Sequence, residues 1–191
     1  MARAKDENKV IAIYEATLKL VLENGFTGLK MSKVAKEAKL ATGTLYIYFK
    51  DKEQLINALY LYIKTEQTKQ YFWDYSETDS FVSNFRKLWF RVVEVGMKQP
   101  EYAIFMEQYY RSPFIKEDSK VQGEALISPV YQLLERGKAE QLIKDIPLEL
   151  LVCQLLGATN ELINLHQEGN FKVTKVHLEA MFKMSWDAIK N

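Results

Sequence analysis

An all-α fold is what this sequence predicts, on three observations. Apolar residues recur at helical spacing over most of the chain, and no stretch between turn signals alternates long enough to read as a strand. Only four prolines interrupt it, none before Pro100. With 191 residues, 48% of them apolar and 27% charged, the chain can bury a sizeable core and is far from the composition of disordered segments.

The elements follow in order. Val10, Ile11, Tyr14, Leu18, Val21 and Leu22 form a stripe behind Asp6 and Glu7, where a helix start favours acids, and Gly25 ends that helix. Short helices fit Met31–Ala38, with Val34 and Ala35 inward, and Thr42–Phe49, with Leu45 and Phe49 inward. Asp51 followed by Gln54 reads as a capping box, with aspartate in the Ser/Thr place, opening a helix from Lys52 to about Tyr71. Beyond a turn at 74–78 come five more helices: about Asp79–Lys98, Pro100–Arg111, Ser119–Ala139, Pro147–Gln167 and Thr174–Lys190. That makes nine. Pro100 and Pro147 suit a first helical turn, whereas Pro129 must kink its helix or mark a true start near Ser128.

Composition narrows the function classes. No run approaches eighteen apolar residues, and the charged stretch Ala2–Lys9 has no apolar segment or cleavage site, so neither membrane spanning nor secretion is expected. The single cysteine, Cys153, can form no intramolecular disulfide and no zinc cluster, so a cytoplasmic location is expected. Cys153 sits in the apolar run 150–156, where a buried thiol is expected. His166 and His177 fall on different helices with no acid at i+3 or i+4, so they read as structural or pocket-lining groups. There is no phosphate loop, no G-x-S-x-G and no H-E-x-x-H. An enzyme is not expected, nor a metal or cofactor.

Charge is uneven. The whole chain carries +1, but residues 1–52 hold ten Lys/Arg against six Asp/Glu, a surplus of +4. Such a segment suits an anionic partner, although lysine-rich helix faces are also plain solvated surface. Two consecutive helices of two turns cannot persist alone in water and must pack on neighbours, for which helix-turn-helix is the economical arrangement. The second helix of such a unit enters the DNA major groove. Its exposed positions here are expected to be Thr42, Gly43, Thr44, Tyr46, Tyr48, Lys50 and Lys52, which suit thymine methyls, base edges and phosphates.

Gly25-Phe26, then Met31-Ser32-Lys33-Val34-Ala35-Lys36-Glu37-Ala38, then Gly43-Thr44-Leu45-Tyr46-Ile47-Tyr48-Phe49-Lys50-Asp51-Lys52-Glu53-Gln54-Leu55 resembles the DNA-binding domain of the tetracycline repressor (TetR/AcrR) family. The resemblance implies a helical homodimer whose heads bind double-stranded palindromic operators and whose bodies each hold a small-molecule pocket. The chain then divides into a three-helix head, 1–51, and a body for ligand and dimerisation, 52–191. Three positions depart from the family pattern. Leu29 and Lys30 stand where threonine precedes the second helix, so Lys30, with Lys33, is expected at the phosphate backbone. Lys39 replaces the turn glycine, costing roughly 1–2 kcal/mol if left-handed. Ala41 replaces a serine cap, losing about 1 kcal/mol unless Thr42 takes over.

The body is dense in aromatic residues, most of which belong in a core. Trp89, Phe105, Tyr109, Tyr131 and Asn160 are the expected lining of a pocket for an apolar or aromatic effector. The helix 147–167 is apolar on more than one face and needs cover on two sides, so a two-fold dimer is expected through Leu148, Leu155 and Leu162 with Leu178, Met181 and Phe182. The function so implied is a ligand-released repressor. The alternative is a helical small-molecule carrier or partner-binding protein with a vestigial DNA head.

Overall fold

The computed structural model describes residues 6–169 and 171–191, so Arg3 and Lys5 of the basic N-terminus lie outside the described residues. Ten helices follow in order: α1 (Glu7–Gly28), α2 (Met31–Glu37), α3 (Thr42–Tyr48), α4 (Lys52–Tyr71), α5 (Phe81–Lys98), α6 (Pro100–Tyr110), α7 (Glu117–Leu126), α8 (Ser128–Ala139), α9 (Leu148–Gln167) and α10 (Lys175–Ile189). Among the described residues the only extended pairing is an isolated antiparallel bridge between Ile143 and Lys190. No helix among them is long and apolar enough to cross a membrane.

The tenth helix comes from Pro129. The expected helix 119–139 is two, because a proline at the second position of α8 offers no N–H to continue α7. Other boundaries follow caps. Ser80 accepts from the Ser83 N–H at 3.2 Å, so α5 begins at Phe81 rather than Asp79. Asp51 accepts from the Gln54 N–H at 2.7 Å, while the Gln54 side chain accepts from the Lys50 N–H at 2.8 Å. Thr174 and His177 form a capping box in which His177 Nδ1 accepts from the Thr174 N–H, giving His177 a structural task. Gly25, at φ 64° and ψ 173°, breaks the regular run of α1 where the helix was expected to end, and three more residues follow it.

The chain packs as two compact units. Among the described residues, one holds those up to Lys64 together with Glu101–Gly123, and the other holds Thr65–Pro100 with those from Glu124 to Asn191. The first unit thus reaches beyond Asp51, the end of the expected head. Leu55, Ile56, Leu59 and Ile63 of α4 and Phe105 and Tyr109 of α6 are buried in one cluster with Ile13, Val21, Val34 and Leu45. Phe26 closes this cluster against Phe105 and Phe114, with ring centroids 5.4 and 5.9 Å apart.

The second unit has its own core, built by Phe81, Phe85, Trp89 and Val93 of α5, Leu133 and Leu134 of α8, Leu151, Leu162 and Ile163 of α9, and Phe182 and Ile189 of α10. Gly137 lets α8 approach α5: a Cβ there would lie 2.5 Å from the Phe81 ring.

Candidate nucleic-acid interface

Helices α2 and α3 are seven residues each and are held by burial rather than by their own length. Val34 and Ala35 of α2 and Leu45 of α3 are essentially inaccessible. The connection between them is a Schellman motif. Lys39 takes φ 56°, the Leu40 N–H donates to Ala35 O at 2.8 Å, and the Lys39 N–H donates to Lys36 O at 3.1 Å. Lysine therefore adopts the left-handed conformation that glycine would take without strain. Ala41 stands at the start of α3 with no side-chain cap, and Thr42 does not supply one.

Burying Leu45, Tyr48 and Phe49 turns the opposite face outward. Thr42, Gly43, Tyr46, Ile47 and Lys50 are exposed, with Tyr46 at 51% and Ile47 at 73%. Gly43, Tyr46 and Ile47 share one face at helical spacing, and nothing lies within 4 Å of where a Gly43 Cβ would be. Lys30 and Lys33 are exposed at the start of α2. Across the unit, the Lys19 ammonium meets Glu37 at 2.6 Å, and this hydrogen bond pushes the Lys19 pKa above its ordinary value.

Several expected contacts move. Tyr48 is buried in the first core, because it is i+3 from Leu45 on the inward stripe, so it is not on the exposed face. Thr44 is half-buried. Lys52 is half-buried, and its Nζ donates to the Phe26 carbonyl at 3.2 Å and lies 4.7 Å from the Phe114 ring centroid. Ile47 is the residue that reasoning from the sequence missed. An exposed isoleucine beside an exposed tyrosine is suited to thymine methyls, and the signal available was its i+4 spacing from Gly43.

The expected effector-lining residues are divided between the two units. Phe105 and Tyr109 are buried in the first core, Trp89 is buried in the second, Tyr131 is half-buried on α8, and Asn160 is exposed on α9. Tyr109 donates from its hydroxyl to Asn57 Oδ1 at 2.7 Å, and burial pushes its pKa up to about 12. Surface cavities of about 230, 480 and 470 Å³ are lined by other residues.

Of the expected dimer residues, Leu162 and Phe182 are buried within their own core, and Leu148, Leu155, Leu178 and Met181 are half-buried against it. The apolar groups left outward on α9 and α10 are Leu150, Leu156, Leu165, Val176 and Met184. Cys153 is exposed among them rather than buried, because it follows Leu150 by three residues on the outward side of α9.

Residues 13–59 match the family model described as "Bacterial regulatory proteins, tetR family", and residues 81–190 match "Tetracyclin repressor-like, C-terminal domain". An HTH-type transcriptional regulator of Haemophilus influenzae is 28% identical over 182 residues, covering 93% of this chain and 94% of that protein. The crystal structure of a TetR family transcription regulator from Marinobacter aquaeolei VT8 superposes with a TM-score of 0.90 at 30% identity, covering 97% of each chain. One from Shewanella sp. PV-4 gives 0.81 at 27% identity, covering 96% of this chain and 98% of the other.

Proposed function

This chain belongs to the tetR family of bacterial transcriptional regulators, and from that premise we propose that it is a repressor that binds a palindromic operator as a homodimer and is released by a small molecule. It works in the cytoplasm, and no catalytic step is assigned to it. Residues 1–51 read DNA, and 52–191 receive the effector and hold the dimer.

The observation that carries the DNA assignment is the outward face of Thr42, Gly43, Tyr46, Ile47 and Lys50 on a helix whose inward face is locked into a core. In this reading α3 enters the major groove, where Tyr46 and Ile47 meet base edges and thymine methyls and Thr42 and Gly43 permit close approach. Lys30, Lys33 and Lys50 meet phosphates and fix register. Thr44, half-buried, contributes at the edge of the contact.

A second copy covers the outward apolar groups of α9 and α10 in an isologous interface. The two heads then present themselves to half-sites about 34–36 Å apart. Effector and operator favour different separations of the heads, and couplings of about 1–3 kcal/mol change operator affinity roughly 5- to 150-fold.

Selection of binding sites from random duplexes, followed by fluorescence anisotropy, tests the assignment. The expected result is one palindromic consensus bound with steep salt dependence, and a Tyr46→Ala, Ile47→Ala protein that keeps its fold but loses the preference. A double variant that shifts the consensus like the wild type defeats the reading, and no selected sequence at all favours a carrier whose head is vestigial.

A further inference from the structure

Two cavities of the second unit adjoin along the outer side of α5. One, of about 230 Å³, is lined by Gln70, Trp73, Arg91, Glu94, Val95 and Lys98. The other, of about 480 Å³, shares Arg91 and Glu94 and continues past Phe90. Trp73 lies in the turn that follows α4 and is 80% exposed, while Tyr71 and Phe72 before it are half-buried. An indole at the mouth of a cavity offers a large flat apolar face, and aromatic side chains bury about 150–250 Å² when covered.

Two cations and two acids lie beside it. The Glu94 carboxylate receives both the Lys98 ammonium, at 2.6 Å, and the Arg91 guanidinium, at 2.8 Å. The hydrogen bond from Lys98, seconded by Arg91, holds the Glu94 carboxyl below its ordinary value. Asp74 reaches Arg91 only at 3.5 Å. The two cations lining the smaller cavity thus share Glu94, Arg91 faces Asp74 through Nε as well, and the remaining N–H groups of its planar guanidinium can take a further carboxylate.

We propose that this cavity is the effector's seat and that the effector is an aromatic carboxylate: its ring lies against Trp73 and Val95, and its carboxylate is held by Arg91 and Lys98. This deepens the reading of a ligand-released regulator and rests on it for the effector's role. A volume of about 230 Å³ suits one or two fused rings, and the adjoining space along Phe90 admits ring substituents. The site also touches the helix that matters. Gln70 belongs to α4, which begins directly behind the recognition helix, and its side-chain amide donates to Gln99 at 3.3 Å, at the end of α5. An occupant between Gln70 and Lys98 meets one end of that link and the residue before the other, and this is where a difference in affinity between two α4 settings would arise.

Calorimetric titration with 2-naphthoate, 2-naphthamide and octanoate tests this. Saturable binding of 2-naphthoate is expected, at least tenfold weaker for Trp73→Ala, Arg91→Gln and Lys98→Gln, with the amide and octanoate each at least tenfold weaker on the wild type. Trp73→Ala and Lys98→Gln alter exposed side chains and leave the melting temperature unchanged, so they remain informative if Arg91→Gln does not fold. No binding of 2-naphthoate, equal binding of the amide or of octanoate, or affinity unchanged by Trp73→Ala and Lys98→Gln overturns the site. These titrations contain no DNA, so a failure of operator binding sinks the regulator reading without altering their outcome. Binding of 2-naphthoate that leaves operator affinity unchanged overturns the effector role alone.

Discussion

The Lys52 ammonium donates to the backbone carbonyl of Phe26 at 3.2 Å, tying the first residue of α4 to the turn of chain that follows the break at Gly25. Its charge also lies over the Phe114 ring, at 4.7 Å from the centroid. A lysine that reads from sequence as a phosphate contact thus satisfies a carbonyl near the end of α1 and borders the aromatic contact of Phe26 with Phe105 and Phe114. Whatever Lys52 gives to DNA, it gives to the fold first.

Lys52→Ala should therefore lower stability by about 1–2 kcal/mol, the scale of a hydrogen bond from a charged donor together with its ring contact. Lys33→Ala, at an exposed position, should leave stability within about 0.5 kcal/mol. Urea unfolding of the two variants separates them, and equal midpoints would remove the structural role assigned to Lys52.

Lys39→Gly should stabilise the protein by about 1 kcal/mol, since lysine at φ 56° carries left-handed strain that glycine does not, offset in part by glycine's greater freedom when unfolded. The Leu40 to Ala35 and Lys39 to Lys36 backbone bonds remain in the variant. A lower melting temperature would show that the Lys39 side chain contributes more than its backbone costs.

The Tyr109 phenol, fully buried and hydrogen-bonded to Asn57, has its pKa pushed up by burial to about 12. The unfolded chain ionises near 10, so this group's contribution is fully present below about pH 10 and is lost as pH rises toward 12. Tyr109→Phe should cost about 1 kcal/mol at neutral pH and lose less stability than the wild type between about pH 10 and 12. Parallel pH profiles of the two proteins would count against the burial argument.

Leu150, Val176 and Met184 are 57%, 75% and 65% exposed on α9 and α10. In the proposed dimer a Leu150→Glu, Met184→Glu protein should sediment as a monomer at micromolar concentration, with helix content unchanged, while the wild type sediments as a dimer. A dimeric double variant would place the interface on another surface.

Periodicity and punctuation alone located most helices of the described chain. The start of α4 at Lys52 was legible to the residue, because Asp51 and Gln54 advertise it in their side-chain chemistry, and local hydrogen bonds of that kind are written in consecutive residues. The outward Thr42, Gly43, Tyr46 and Lys50 were legible for the same reason: two short helices with fixed inward residues leave few choices for the other side. What tertiary structure alone decided was which of several apolar faces each core takes. Tyr48 went inward and Ile47 outward, though both sit within one turn of α3. Leu162 and Phe182 went to the unit's own core while Leu150 and Met184 stayed outside, and Phe105 and Trp89 were sent to different cores. Burial is a pairwise matter of what lies opposite, and neighbours contributed by distant helices are not encoded in the spacing of any one of them.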